Sequence, residues 1–126
     1  MKRILLAMTV SAAMALSTAP VMAHHNANAV FDTTRRVDVT GTLKELKNIN
    51  PHPRWFVEVT RNGVTEEWEF ESVSPARLRA SGVKVKEDIR PGKSYTFTVS
   101  PARDGSNFGF INSMTIDGRK VPFIEI

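Results

Sequence analysis

Five stretches of the chain alternate apolar and polar residues, an Asn-Gly pair joins the second to the third, and a capped helical signal falls between the third and fourth. Together they predict a mainly β chain: a small five- to six-stranded barrel of the OB type with one short helix between strands 3 and 4. Each part of that expectation rests on particular residues.

The first segment is not expected to belong to the fold. Lys2 and Arg3 precede a mostly apolar run from Ile4 to Leu16, and Val21-Met22-Ala23 fits the small-residue cleavage pattern of an export signal. Residues 1–23 are therefore read as a signal peptide, 24–35 as an N-terminal arm and 36–126 as the barrel domain. The apolar run is shorter than the roughly 20 residues that a membrane helix needs, and no later stretch is longer. The expectation is a periplasmic or secreted protein without a membrane span. Its 126 residues include no cysteine, so disulfides, Cys-based zinc sites and Cys nucleophiles are excluded. Losing Lys2 and Arg3 with the signal leaves 15 basic against 13 acidic residues, a field too weak to point to nucleic acid or an anionic membrane.

The arm from His24 to Thr34 is short, polar and Ala/Asn-rich, with Phe31 as its one anchor. Val37-Asp-Val-Thr-Gly-Thr-Leu43 alternates as a half-buried first strand; Gly41 permits a bend, and the phase slips by Leu46. Lys47 to Pro53 is a loop stiffened by prolines on both sides of His52. Trp55 to Thr60 is the second strand, with Trp55, Val57 and Val59 inward. Asn62-Gly63 turns the chain into a third strand, Val64 to Glu71, with Trp68 and Phe70 inward and Glu67, Glu69 and Glu71 toward solvent. Ser74 as N-cap, Pro75 at the first helical position and Gly82 beyond the end frame the helix, with Leu78 buried. Tyr95 to Val99 and Phe108 to Ile116 are strands 4 and 5. Asp117-Gly118 then turns toward a short edge strand, Val121 to Ile126.

Ligands of such barrels usually meet strands 2 and 3 and the loops joining strands 1–2 and 4–5. Those loops here are 47–53 and 100–107, so His52, Arg54, Arg103, Asp104 and Asn107 are expected to share one rim, although turn chemistry alone also accounts for Asp104 to Asn107. The three histidines suggest a metal. Cleavage after Ala23 would expose His24, whose amine and ring nitrogen close a chelate; the His52 imidazole adds a third nitrogen. Such a set, a histidine brace, suits Cu(II), with His25 able to substitute and Asp104 as a weaker oxygen ligand. Uptake would weaken below about pH 6, where histidine rings protonate. A surface histidine with an ordinary hydrogen bond is the plainer reading of His52.

No Ser-His-Asp arrangement and no glycine-rich phosphate cradle is readable, so a binding protein is expected rather than an enzyme. From Trp55 to Glu71 there are five glutamates and one arginine, which argues against nucleic acid on that face. Phe56 faces outward among those glutamates, so a metal-free adaptor that meets a periplasmic protein partner there is the alternative.

The chain also resembles a family of small exported bacterial proteins known only as a domain of unknown function. The resemblance rests on Ala23-His24-His25, Val39-Thr-Gly-Thr-Leu43, Asn50-Pro51-His52 followed by aromatic Trp55, Ser74-Pro75 and Pro101-Ala-Arg-Asp-Gly-Ser106. It covers nearly all of the chain after the signal, and it departs at Pro53-Arg54, which delay the aromatic residue after the histidine. The family implies no activity. In size, export and strand order the chain is similar to periplasmic OB-fold proteins linked to stress and small-ligand binding, a likeness of fold alone.

Overall fold

A computed structural model describes residues 27–124. A single helical turn, α1 (Ala27–Val30), precedes three strands, β1 (Val37–Lys47), β2 (Arg54–Arg61) and β3 (Val64–Glu71). Two short helices follow, α2 (Pro75–Ala80) and α3 (Val85–Asp88), and then β4 (Ser94–Pro101), β5 (Phe108–Ile116) and β6 (Arg119–Pro122). The strands run β3-β2-β1-β4-β5-β6, and β3 also pairs with β5, so strands 1 to 5 close into a barrel with β6 appended to β5. Neighbours are antiparallel except at the closing seam, where Glu69, Phe70 and Glu71 lie parallel to Phe108, Gly109 and Phe110.

Strand β1 serves two partners. Its first half, Val37 to Thr42, pairs with β4, and Thr42 to Lys47 pairs with β2. Closing a small barrel requires that strand to bend, and a register shift between Leu43 and Glu45 supplies the break that the apolar phase slip at Leu46 predicts. Gly41 lies just before it, at a point of close approach. A Cβ there would stand 2.5 Å from the Glu58 carbonyl oxygen and 2.6 Å from a Val57 methyl, so only glycine fits without backbone movement.

Alternation fills the interior. Trp55, Val57 and Val59 from β2, Phe70 from β3, Tyr95, Phe97 and Val99 from β4, and Ile111 and Met114 from β5 are all buried. Phe97 is the hub of the aromatic core, with ring centroids 5.2 Å from Phe70 and 6.0 Å from Trp55. Asn62 and Gly63 both take positive φ, 51° and 76°, as a tight hairpin whose twist matches its strands requires. Ser74 caps α2 by accepting from the Arg77 amide, Pro75 opens the helix, and Leu78 plugs the barrel with no exposed surface.

Three sequence expectations need correction. The edge strand expected from Val121 starts earlier, at Arg119 directly after the Asp117-Gly118 turn, and ends at Pro122. The connection from β3 to β4 carries a second helical turn, α3, docked because the Tyr95 hydroxyl donates to the Asp88 carbonyl at 2.7 Å and accepts from the Arg90 amide at 2.9 Å. Glu71, expected toward solvent, is 5% exposed. Alternation does turn it to the outer face, but that face is covered where β3 meets β5. Among the described residues no helix is long and apolar enough to cross a membrane.

Candidate functional site

The loop from β1 to β2 is tied to the end of β3 through Ser72, which has no exposed surface. The Ser72 amide donates to the Pro53 carbonyl at 3.3 Å, and the Trp55 indole donates to the Ser72 hydroxyl at 2.8 Å. His52 Nδ1 lies 2.9 Å from the Ser72 carbonyl oxygen. A carbonyl only accepts, so the ring nitrogen must carry the proton in that bond. In the neutral ring this fixes the tautomer and leaves the lone pair on Nε2. The imidazole is half-buried and meets Phe110 edge-on at a centroid distance of 6.0 Å.

Phe110 belongs to a second apolar cluster, outside the barrel and over the β3–β5 seam. Phe31 is its key, with no exposed surface and its ring 5.0 Å from Phe108 and 5.7 Å from Phe110. The segment after α1 therefore docks on the same aromatic surface that supports His52. Phe31 pairs with Ala102 in an isolated bridge, and the Asp32 amide donates to the Pro101 carbonyl at 2.9 Å. Arg103 holds the arm a second time: its amide donates to the Val30 carbonyl at 2.9 Å and its Nε to the Asn28 carbonyl at 2.8 Å.

Arg54 lies beside this cluster. Its guanidinium stands 5.6 Å from the centre of the Phe108 ring, donates through Nε to Glu69 at 2.6 Å, and reaches the sheltered Glu71 carboxylate at 3.3 Å. A second Arg54 nitrogen also meets Glu69. Those contacts compensate the buried Glu71 charge, which would otherwise be costly.

The residues expected on one rim are held by different contacts, and Asn107 and Arg54 both meet Glu69. His52 and Arg54 share the aromatic seam, and Arg103 clamps the arm to that seam rather than pointing at a ligand. Asp104 is occupied locally, accepting from the Ser106 amide at 2.9 Å and hydroxyl at 2.6 Å; those hydrogen bonds, the hydroxyl's first, hold its carboxyl below the ordinary range. Asn107 donates to Glu66 at 3.2 Å, and its carbonyl accepts from the Glu69 amide at 3.0 Å, so it ties the loop to β3. Phe56 is half-buried on the outer face of β2, with Lys47 Nζ 5.2 Å from the ring centre. His24 and His25 lie outside the described residues. Among the described residues no group of three His, Cys, Asp or Glu side chains is arranged to hold a metal ion. Ser72, Phe108 and Phe110 are parts of the site that sequence reasoning missed; the outward phase of Phe108 and Phe110 on an otherwise two-faced strand was the available signal.

Five strands closed by a parallel β3–β5 pairing, with a helix between β3 and β4, define an OB-type barrel. Its candidate site is an aromatic seat on the outer wall, covered by the chain's own arm. Among solved structures it is similar to the crystal structure of Rim1, a mitochondrial single-stranded DNA binding protein from S. cerevisiae, with a TM-score of 0.51 and 10% sequence identity over 66% of this chain and 93% of that one. At that identity the likeness is one of fold. Comparison with curated proteins gives no match. The chain belongs to a family of unknown function (DUF6152), whose model matches residues 12–112.

Proposed function

We propose that this protein is an exported, non-catalytic binding protein that takes up one Cu(II) at the seam, through the amine and imidazole of His24 and the imidazole of His52. The observation that carries this reading is the hydrogen bond from His52 Nδ1 to the Ser72 carbonyl. Metal-bound histidines typically give their second ring N–H to a carbonyl or carboxylate, which fixes the ring and raises the basicity of the coordinating nitrogen. His52 has that arrangement on a buried backbone anchor, with its lone pair on Nε2.

The docking of the arm is the second support. Phe31 and His52 both pack on Phe110, at 5.7 and 6.0 Å, so their rings are no further apart than those distances added together. His24 precedes Ala27, where α1 begins, by three positions, a stretch able to span about 10 Å. The reading requires those three positions to carry the freed amine from the start of α1 to His52. His25 is the substitute donor. Asp104 is a poor oxygen ligand, because its carboxylate is already engaged by Ser106.

The test is a Cu(II) titration of protein that begins at His24. One equivalent should bind with nitrogen hyperfine structure in the EPR spectrum, and His52→Ala or a methionine left before His24 should weaken it at least tenfold. Stoichiometric binding that ignores both changes would sink the proposal. Amino-terminal sequencing of protein recovered from the periplasm tests the export step and should begin at His24.

The adaptor reading draws on Glu67, which is exposed on β3 opposite Glu58 and so on the face that outward-facing Phe56 shares. The same acidity is why the DNA-binding property of Rim1 is not carried over here. Phe56→Glu should abolish co-purification of a basic partner if that face is the working surface, and should leave Cu(II) uptake unchanged.

A further inference from the structure

Apart from the His52 seat, a groove of about 740 Å³ opens between the β1–β2 loop, at Asn48, and the α2–α3 connection. Val83, itself only 2% exposed, and half-buried Val85 line it together with the long side chains of Arg79, Lys84 and Lys86 and one acidic residue, Glu87. Its size is that of small-molecule sites, about 300–1,000 Å³, and lysine and arginine stems contribute apolar lining while their heads stay in water. Ile49, next to Asn48 in the chain, is one of only two large apolar side chains left exposed among the described residues.

The charge here is lopsided. Lys84 has an acid nearby, Glu87, at 3.7 Å. Arg79 and Lys86 have no acidic partner among the described residues. From Pro75 to Lys93 the chain carries six basic residues against two acidic ones, the reverse of the glutamate-rich β2–β3 hairpin.

We propose that this groove binds a single long-chain carboxylate: Arg79 and Lys86 take the head, and Val83, Val85 and the lysine stems cover the first part of the chain. A guanidinium suits a carboxylate because its paired N–H groups match two oxygens. A free amphiphile fits better than a bilayer surface. The lining is concave, and the other exposed large apolar residue, Val64, starts β3 rather than extending a patch around Ile49. This inference does not depend on the copper reading.

The experiment titrates the protein with dodecanoate below its micellar concentration, by calorimetry and by methyl NMR. One equivalent should bind saturably with shifts at the Val83 and Val85 methyls. The double substitution Arg79→Glu, Lys86→Glu, at two exposed positions, should weaken binding at least tenfold with an unchanged circular dichroism spectrum, and Val85→Asp should do the same. Dodecyltrimethylammonium, of equal chain length, should not bind. Unmoved methyls, equal affinity in the charge-reversed variant, or equal uptake of the cationic amphiphile would each overturn the proposal. Co-sedimentation with phosphatidylglycerol vesicles without dodecanoate binding would also overturn it, in favour of a membrane-docking face.

Discussion

Ser72 joins the core to the candidate site through separate atoms. Its hydroxyl accepts from Trp55, whereas its carbonyl accepts from His52. Ser72→Ala therefore removes one partner and keeps the other. The orphaned indole N–H is fully buried, which predicts a loss of about 1–3 kcal/mol. A lower urea midpoint with unchanged Cu(II) uptake is the expected outcome, and loss of uptake without loss of stability would contradict it. A different residue pair governs acid behaviour on the far side of the barrel. Lys93 Nζ donates to Asp117 at 2.5 Å, and that hydrogen bond, reinforced by charge, lowers the Asp117 carboxyl below its ordinary 3.8 and raises Lys93. A depressed carboxyl contributes stability that is complete above its unfolded pKa and is lost as pH falls through the folded one. The window therefore lies at and below about pH 4. An NMR titration should find the Asp117 midpoint below 3.8, and Lys93→Ala should move it up.

Strand β1 is the element on which the barrel's shape turns. It leaves β4 for β2 within a few residues, and Gly41 sits where the strands come closest. In Gly41→Ala the added methyl would meet the Glu58 carbonyl, a backbone atom that cannot rotate away. The expected cost is about 1–3 kcal/mol, read from chemical denaturation. A neutral result would mean that β2 yields easily and that the bend does not depend on glycine. Most elements of this kind were legible beforehand because their signals are local. Alternation gave the inward residues of β2 and β4; Asn62-Gly63 and Asp117-Gly118 gave the turns; Ser74, Pro75 and Gly82 gave α2. The second turn α3 was not legible, since Val85 to Asp88 is too short to show a period and is held by Tyr95 from the next strand.

Among the described residues an apolar cluster inside the barrel meets an outer one through Phe110, on which Phe31 of the arm packs. The inner cluster is reached from every strand and should unfold as one unit, whereas the outer one depends on a single ring from the arm. Phe31→Ala should cost about 3–5 kcal/mol of local docking energy, less whatever the site recovers by collapse. Hydrogen exchange should then accelerate across residues 27–34, while the interior of β1 to β5 keeps most of its protection. Equal acceleration everywhere would make the arm part of the barrel's single cooperative unit. If Cu(II) binds at the seam, Phe31→Ala should also weaken uptake, because the freed arm would have to be ordered at the expense of binding energy.

The candidate site was only half readable for a related reason. His52 stood out as a histidine between prolines, and Arg54 and Arg103 as basic residues flanking loops. Their partners did not stand out, because Ser72, Phe110 and Asn28 lie 20 to 75 positions away along the chain. The sequence by itself determined the strands, the turns, the capped helix and the residues of the inner core, since each follows from a period or a backbone preference carried within a few neighbours. Only the tertiary structure decided that β3 closes on β5, that Glu71 lies sheltered beneath Arg54, and that Phe31 brings the arm to the wall beside His52. Alternation says which side chains share a face; it does not say what covers that face, and cover is set by contacts between segments far apart in the chain.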